Sequence, residues 1–178
     1  MAFEKGIRRG SYWNDVVKVN SIINNFPFYT TGKSEKDFEN GFSTALMTMQ
    51  NQFENDVITQ IDKTKKVKSV YCFGKNNRPD LTIGEDGIAF EIKYTDYGSL
   101  NQAIGQGYIY RLDYKFAFLI LVLSDTIKEL YEQIAEGKEK QLEDILNNLS
   151  EDMNIFTYIV PSFPIKKIGV PKCISFFK

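Results

Sequence analysis

Residues 78–95, RPDLTIGEDGIAFEIKYT, decide how this chain is read. Two short runs of alternating residues flank a Gly84-Glu85-Asp86-Gly87 turn, which is the signal of a β-hairpin. Successive side chains of a strand point to opposite faces. Ile88, Phe90 and Ile92 therefore share one face, and Ala89, Glu91, Lys93 and Thr95 share the other. In the first run Leu81 and Ile83 are apolar, whereas Asp80 and Thr82 are polar. A two-residue turn at Glu85-Asp86 sets Asp80 opposite Glu91. A turn centred on Asp86-Gly87 sets it opposite Lys93. Either register leaves Leu81, Ile83, Ile88, Phe90 and Ile92 on an apolar face, with Asp80, Glu91 and Lys93 together on the other. Two carboxylates facing each other at roughly 5 Å repel and destabilise a sheet. A divalent cation between them reverses that, and Mg²⁺ takes one or two carboxylates while keeping several waters. Lys93 would hold a water or a phosphate oxygen beside such an ion.

The elements around the hairpin follow from periodicity. Tyr12, Val16, Val19, Ile22 and Ile23 predict a helix over 11–25, and Arg8 and Arg9 before it read as a solvated arm or as phosphate contacts. Ser34 with Asp37 resembles a capping box. Phe38, Phe42, Leu46, Met49, Phe53, Val57, Ile58 and Ile61 then predict one long helix, with Gly41 as a bend. Glu54 falls inside that apolar stripe, where an unpaired carboxylate is costly, and Glu39 is the second acid so placed. Residues 62–68, DKTKKVK, read as a polar connector or a phosphate-binding rim. A strand is expected over 67–73, then a loop over 74–78 in which Lys75 and Arg78 stand next to the acidic pair.

Beyond the hairpin, Ser99 is expected to cap a helix over 100–113 on which Gln102, Gln106 and Tyr110 share one face. KFAFLILVLS, 115–124, reads as a strand buried on both faces. A polar helix over 125–149, broken near Gly137, carries an apolar stripe that either covers the sheet or serves a homodimer interface. NIFTYIV, 154–160, reads as a further strand, and 173–177 as a packed tail with Lys166, Lys167 and Lys172 as a basic rim.

Pro79-Asp80 followed by Glu91-Ile92-Lys93 resembles the PD-(D/E)xK motif of the restriction-endonuclease-like nucleases. Gln106 and Tyr110 resemble the QxxxY motif of its RecB-like members. The resemblance covers about residues 53–124. It implies a mixed α/β fold with an αβββαβ core over about 35–124, inside one domain of residues 1–178, with an N-terminal helical extension (1–33) and a C-terminal helix and strands (125–178). It also implies metal-dependent phosphodiester hydrolysis of DNA, with RNA left open, in restriction, repair, recombination or defence. Asp80, Glu91, the Ile92 carbonyl and Glu54 would hold Mg²⁺ or Mn²⁺, Lys93 would be catalytic, Gln106 and Tyr110 would order the far side, and Arg78 and Lys75 would bind substrate. The alternative is a catalytically inactive DNA- or protein-binding module that keeps the nuclease fold.

Composition narrows the chemistry. Histidine is absent from the 178 residues, so His triads, His-metal sites and His general bases are excluded. Cys72 and Cys173 are the only cysteines. They read as buried free thiols of a cytoplasmic protein and are too few for a four-cysteine cluster. The net charge of −1 gives no overall basic field, so a nucleic-acid site must be a local patch. No apolar run reaches the length of a membrane span, and MAFEKGIRRG lacks the apolar core of a signal peptide.

Overall fold

The computed structural model describes residues 8–30, 32, 34–60, 65–96, 99–166 and 169–178. Ile61, Asp62 and Lys167, placed by sequence in a helix end, a connector and a basic rim, lie outside them.

Helix α1, Ser11–Asn25, buries Val16, Val19 and Ile23, as its spacing predicts. Helix α2, Glu35–Thr48, opens on a reciprocal capping box between Ser34 and Asp37 and buries Phe38, Phe42 and Leu46. Here the sequence expectation is corrected: the helix stops at Thr48 instead of running to Ile61. A single tight turn, Gln50–Gln52, follows, and Val57–Thr59 is strand β1. Side chains enforce the break. Gln50 Oε1 accepts the Val57 N–H at 2.6 Å, and Gln50 Nε2 donates to the Asn55 carbonyl at 3.2 Å. The buried Asp15 carboxylate of α1 accepts the N–H groups of Glu54 and Asn55 at 2.9 and 3.0 Å. These bonds satisfy backbone donors that a helix would have used.

Strands β2 (Val70–Cys72) and β3 (Lys75–Asn77) form a two-stranded ribbon of their own. The expected strand over 67–73 thus stays out of the main sheet, and the expected loop contains β3. Strands β4 (Leu81–Ile83) and β5 (Ile88–Thr95) are the hairpin, with Leu81 opposite Phe90, the first of the two registers. Helix α3 (Leu100–Tyr110) crosses to β6 (Phe116–Leu123), in which every residue is buried. Helices α4 (Lys128–Ala135) and α5 (Lys140–Met153), broken around Gly137 at φ +68°, cross to β7 (Ile155–Pro161), and β8 (Ile174–Phe176) closes the sheet. The fold is therefore mixed α/β. Its sheet runs β1-β4-β5-β6-β7-β8, parallel through β5, β6 and β7 and antiparallel elsewhere.

Two cores lie on opposite faces of the sheet. Leu81, Ile83, Ile88, Phe90 and Ile92 pack with Val16, Phe38, Phe42 and Leu46 beneath α1 and α2. Ala89, Leu119, Leu121 and Ile159 pack with Tyr110, Tyr131, Ile134, Leu146 and Leu149 beneath α3, α4 and α5. The apolar stripe of α4 and α5 thus covers the sheet. Among the described residues no helix is long and apolar enough to cross a membrane. Both cysteines are free thiols but only partly buried; burial pushes the Cys173 thiol up to about 12.

Candidate functional site

Strand β4 is short and β5 is long, and this mismatch makes the site. Past Leu81, β5 continues with no strand alongside it on the β4 side. Its outward amides need acceptors, and carboxylates supply them. Asp80 Oδ2 accepts the Ile92 N–H at 2.7 Å, and Glu35 Oε2, from the first turn of α2, accepts the Tyr94 N–H at 3.0 Å. Lys93 Nζ donates to the other oxygen of Glu35 at 2.9 Å. The acidic edge is thus bound to the backbone of the very strand that carries Glu91 and Lys93.

The hairpin register brings Asp80 alongside Glu91. Burial pushes the Asp80 carboxyl well above the usual carboxylate range, and the charge of Glu91 adds to that. The Ile92 amide opposes the shift, while Glu39 and Glu35 reinforce it. Glu91 is itself raised, again by burial first. It is partly relieved by the Tyr110 hydroxyl, which donates to Glu91 Oε2 at 2.6 Å, and by the Lys93 charge. For Lys93, burial works downward, but the bond to Glu35 and the fields of Glu91 and Asp80 win and raise it. Acids outnumber cations here, so each carboxylate makes the next harder to ionise.

The residues chosen from sequence fall into two groups. Asp80, Glu91, Lys93 and Tyr110 come together. Ile92, expected through its carbonyl, donates its N–H to Asp80, and on a strand the carbonyl of the same residue projects from the same edge. Gln106 lies one turn before Tyr110 on α3, and its Oε1 is buried without a hydrogen-bond partner. The Arg78 carbonyl lies 3.2 Å from the Tyr110 hydroxyl, but its guanidinium turns away to Gln60 Oε1 at 3.1 Å. Lys75 is exposed on the ribbon.

Glu54 is the correction. It sits on no helix: it is exposed and accepts from Asn14 at 2.8 Å. It lies two residues before Asp56, whose carbonyl accepts the Gly84 N–H, so it belongs to the turn end of the hairpin, opposite Asp80. The helix acids that do reach the pair are Glu39, the second choice, and Glu35, which sequence reasoning passed over. Glu35 was legible: it stands three and seven residues before Phe38 and Phe42, on the stripe that faces the sheet.

Among the described residues no three acidic or cysteine side chains converge closely enough to hold a metal ion between them. The donor set nevertheless fits a hard cation that keeps much of its water: two adjacent carboxylates, oxygen donors only, both raised first by burial. No family model, curated protein or solved structure matches the chain.

Proposed function

We propose that this protein is a metal-dependent nuclease of the PD-(D/E)xK type that hydrolyses phosphodiester bonds of DNA. The observation that carries the reading is the Asp80–Glu91 pair, two partly desolvated carboxylates that repel each other on one open strand edge beside Lys93. Asp80 and Glu91, with the Ile92 carbonyl at the same edge, would hold Mg²⁺ or Mn²⁺. Such an ion, when bound, supplies positive charge that polarises a phosphoryl oxygen and makes water more acidic.

The chain's own residues do the rest. Tyr110 fixes the Glu91 carboxylate by donating to Oε2, which leaves Oε1 for other partners. The Ile92 amide fixes Asp80 in the same way. Lys93, kept protonated by its acidic neighbours, would place its ammonium against the phosphate and stabilise the charge that grows there. Glu35 orients that ammonium. Gln106, with its unpaired Oε1, would accept a hydrogen from water or substrate. DNA is then the partner and the cytoplasm the compartment. The test is cleavage of linear and supercoiled DNA with Mg²⁺ against EDTA. Wild type should cut only with the metal, and Asp80→Asn and Lys93→Ala should lose at least a hundredfold while folding normally. Full activity in either variant would remove the mechanism.

One observation favours a second reading, an inactive nuclease-fold module that binds DNA or protein. Asp80 and Glu35 are already used as acceptors for the β5 edge, and Lys93 is ion-paired with Glu35. In that case the acids serve the sheet alone, and the protein neither cleaves DNA nor binds Mn²⁺.

A further inference from the structure

The β2–β3 ribbon is rooted in the core but ends in open solvent. At its base Val70 is buried against the α3 side of the sheet, and buried Asn77 donates towards the Val70 and Cys72 carbonyls. At its tip Cys72 pairs with Lys75, so Phe73 and Gly74 alone make the turn, at φ +51° and +77°. A two-residue turn with both φ positive favours Asn, Asp or Gly. A phenylalanine there costs backbone strain, and its side chain gains nothing from burial, being 88% exposed. Tyr71, two residues back, is 70% exposed. These two rings are the most exposed large apolar side chains among the described residues.

Charge states what the tip would meet. Residues 63–79 carry six cations (Lys63, Lys65, Lys66, Lys68, Lys75 and Arg78) and no acid, in a chain of net charge −1. Lys65, Lys66 and Lys68 line a cavity of about 560 Å³ with Asp56, Thr82, Gly84 and Glu85, towards the turn end of the β4–β5 hairpin. Thr82 is in β4, which begins immediately after Asp80. Lys65 and Lys68 are ion-paired with Asp56 and Asp113, whereas Lys66 and Lys75 are exposed. The ribbon then runs from Asn77 through Arg78 and Pro79 straight into Asp80.

We propose that this ribbon is a base-stacking arm, in which Phe73 and Tyr71 take the faces of unpaired nucleobases while Lys66 and Lys75 take phosphates. The bound strand is thereby led towards Asp80 and Glu91. Exposed aromatic faces bind any base by stacking, whatever the sequence, and interleaved cations follow the backbone. The occupant is single-stranded nucleic acid, because a paired base keeps its faces inside the stack. The proposal rests on the nuclease reading for the strand's destination, but not for its binding.

The test is fluorescence anisotropy with a labelled single-stranded oligonucleotide in EDTA, where no cleavage competes. Wild type should bind it more tightly than the duplex of the same sequence. Tyr71→Ser combined with Phe73→Asn should weaken binding by about tenfold or more, the scale of losing one or two base–aromatic stacks, and Asp80→Asn should still bind. Asparagine suits the positive φ at position 73, so Phe73→Asn alone serves if the double variant unfolds. Unchanged affinity in a folded ribbon variant, or no binding by wild type, would overturn the proposal. Binding to phosphatidylserine vesicles that is lost in the variant, with oligonucleotide binding intact, would overturn it as well. Cleavage in Mg²⁺ separates the two readings. A wild type that binds through the ribbon but never cuts ends the nuclease reading alone, and one that cuts with an indifferent ribbon ends this proposal alone.

Discussion

Asp80 holds the Ile92 amide with one oxygen while its charge sits in the field of Glu91, Glu39 and Glu35. Burial first, and then those charges, raise its folded-state pKa above the unfolded value of about 3.9 in spite of the Ile92 bond. A carboxyl raised in this way binds more protons folded than unfolded. Its contribution to stability is thus complete below the unfolded pKa and is lost as pH rises through the folded one. In EDTA the melting temperature should fall between pH 5 and pH 9. Asp80→Asn keeps an oxygen for the Ile92 amide and removes the charge. It should stabilise the metal-free protein at pH 9 by about 1–3 kcal/mol, the size of a buried group relieved of its penalty, and change little at pH 5. A variant no more stable than wild type at pH 9 would mean that Asp80 is not under electrostatic pressure. Tyr110→Phe removes the donor that relieves Glu91. It should weaken Mn²⁺ affinity several-fold with little change in fold, measured by calorimetry on the folded variant.

At the scale of elements, the hairpin turn depends on a residue far away in sequence. The ring of Tyr12, on α1, lies where a Cβ on Gly84 or Gly87 would go, 2.5 and 2.1 Å from its nearest atom. The Tyr12 hydroxyl donates to Asp86 at 3.0 Å, and Lys115 pairs with the same carboxylate at 3.2 Å. Gly87→Ala should destabilise the protein by about 1–3 kcal/mol through overpacking, seen as a lower melting temperature and a shifted urea midpoint. The alternation in 81–92 was enough to fix the apolar face and to reduce the register to two choices, because period two is a strong local signal. The uniform apolar run at 116–123 likewise marked the buried central strand. The end of α2 was hidden for the opposite reason. Phe53, Val57 and Ile58 keep helical spacing by coincidence, and the groups that end the helix are the side chains of Gln50 and of Asp15 on another element. Without that end, Glu54 took the place that belongs to Glu39 and Glu35. The β2–β3 ribbon was hidden too, since a turn led by phenylalanine carries no turn signal.

Across the whole molecule, charge and anchoring are unevenly spread. Arg8, read from sequence as a solvated arm or a phosphate contact, is a clasp. Its guanidinium donates to Asn154 Oδ1 at 2.9 Å, to the Ser150 carbonyl at 2.5 Å and to the Lys178 carbonyl. It also lies 5.5 Å from the Trp13 ring centroid. It ties the entry to α1 to the end of α5 and to the end of the chain. Arg8→Ala should cost about 1–3 kcal/mol in urea unfolding without altering the acidic edge. The acidic strand edge of the candidate site follows directly, through Pro79, on a cationic stretch over 65–79, which on the proposed function is where a polyanion and a divalent ion would meet. The most direct measurement is calorimetric titration of Mn²⁺ at pH 7.5 in two buffers of different ionisation enthalpy. One saturable site is expected, which releases protons as the raised carboxyls ionise and is lost in Asp80→Asn. Absence of saturable binding, or binding that Asp80→Asn leaves intact, would contradict it.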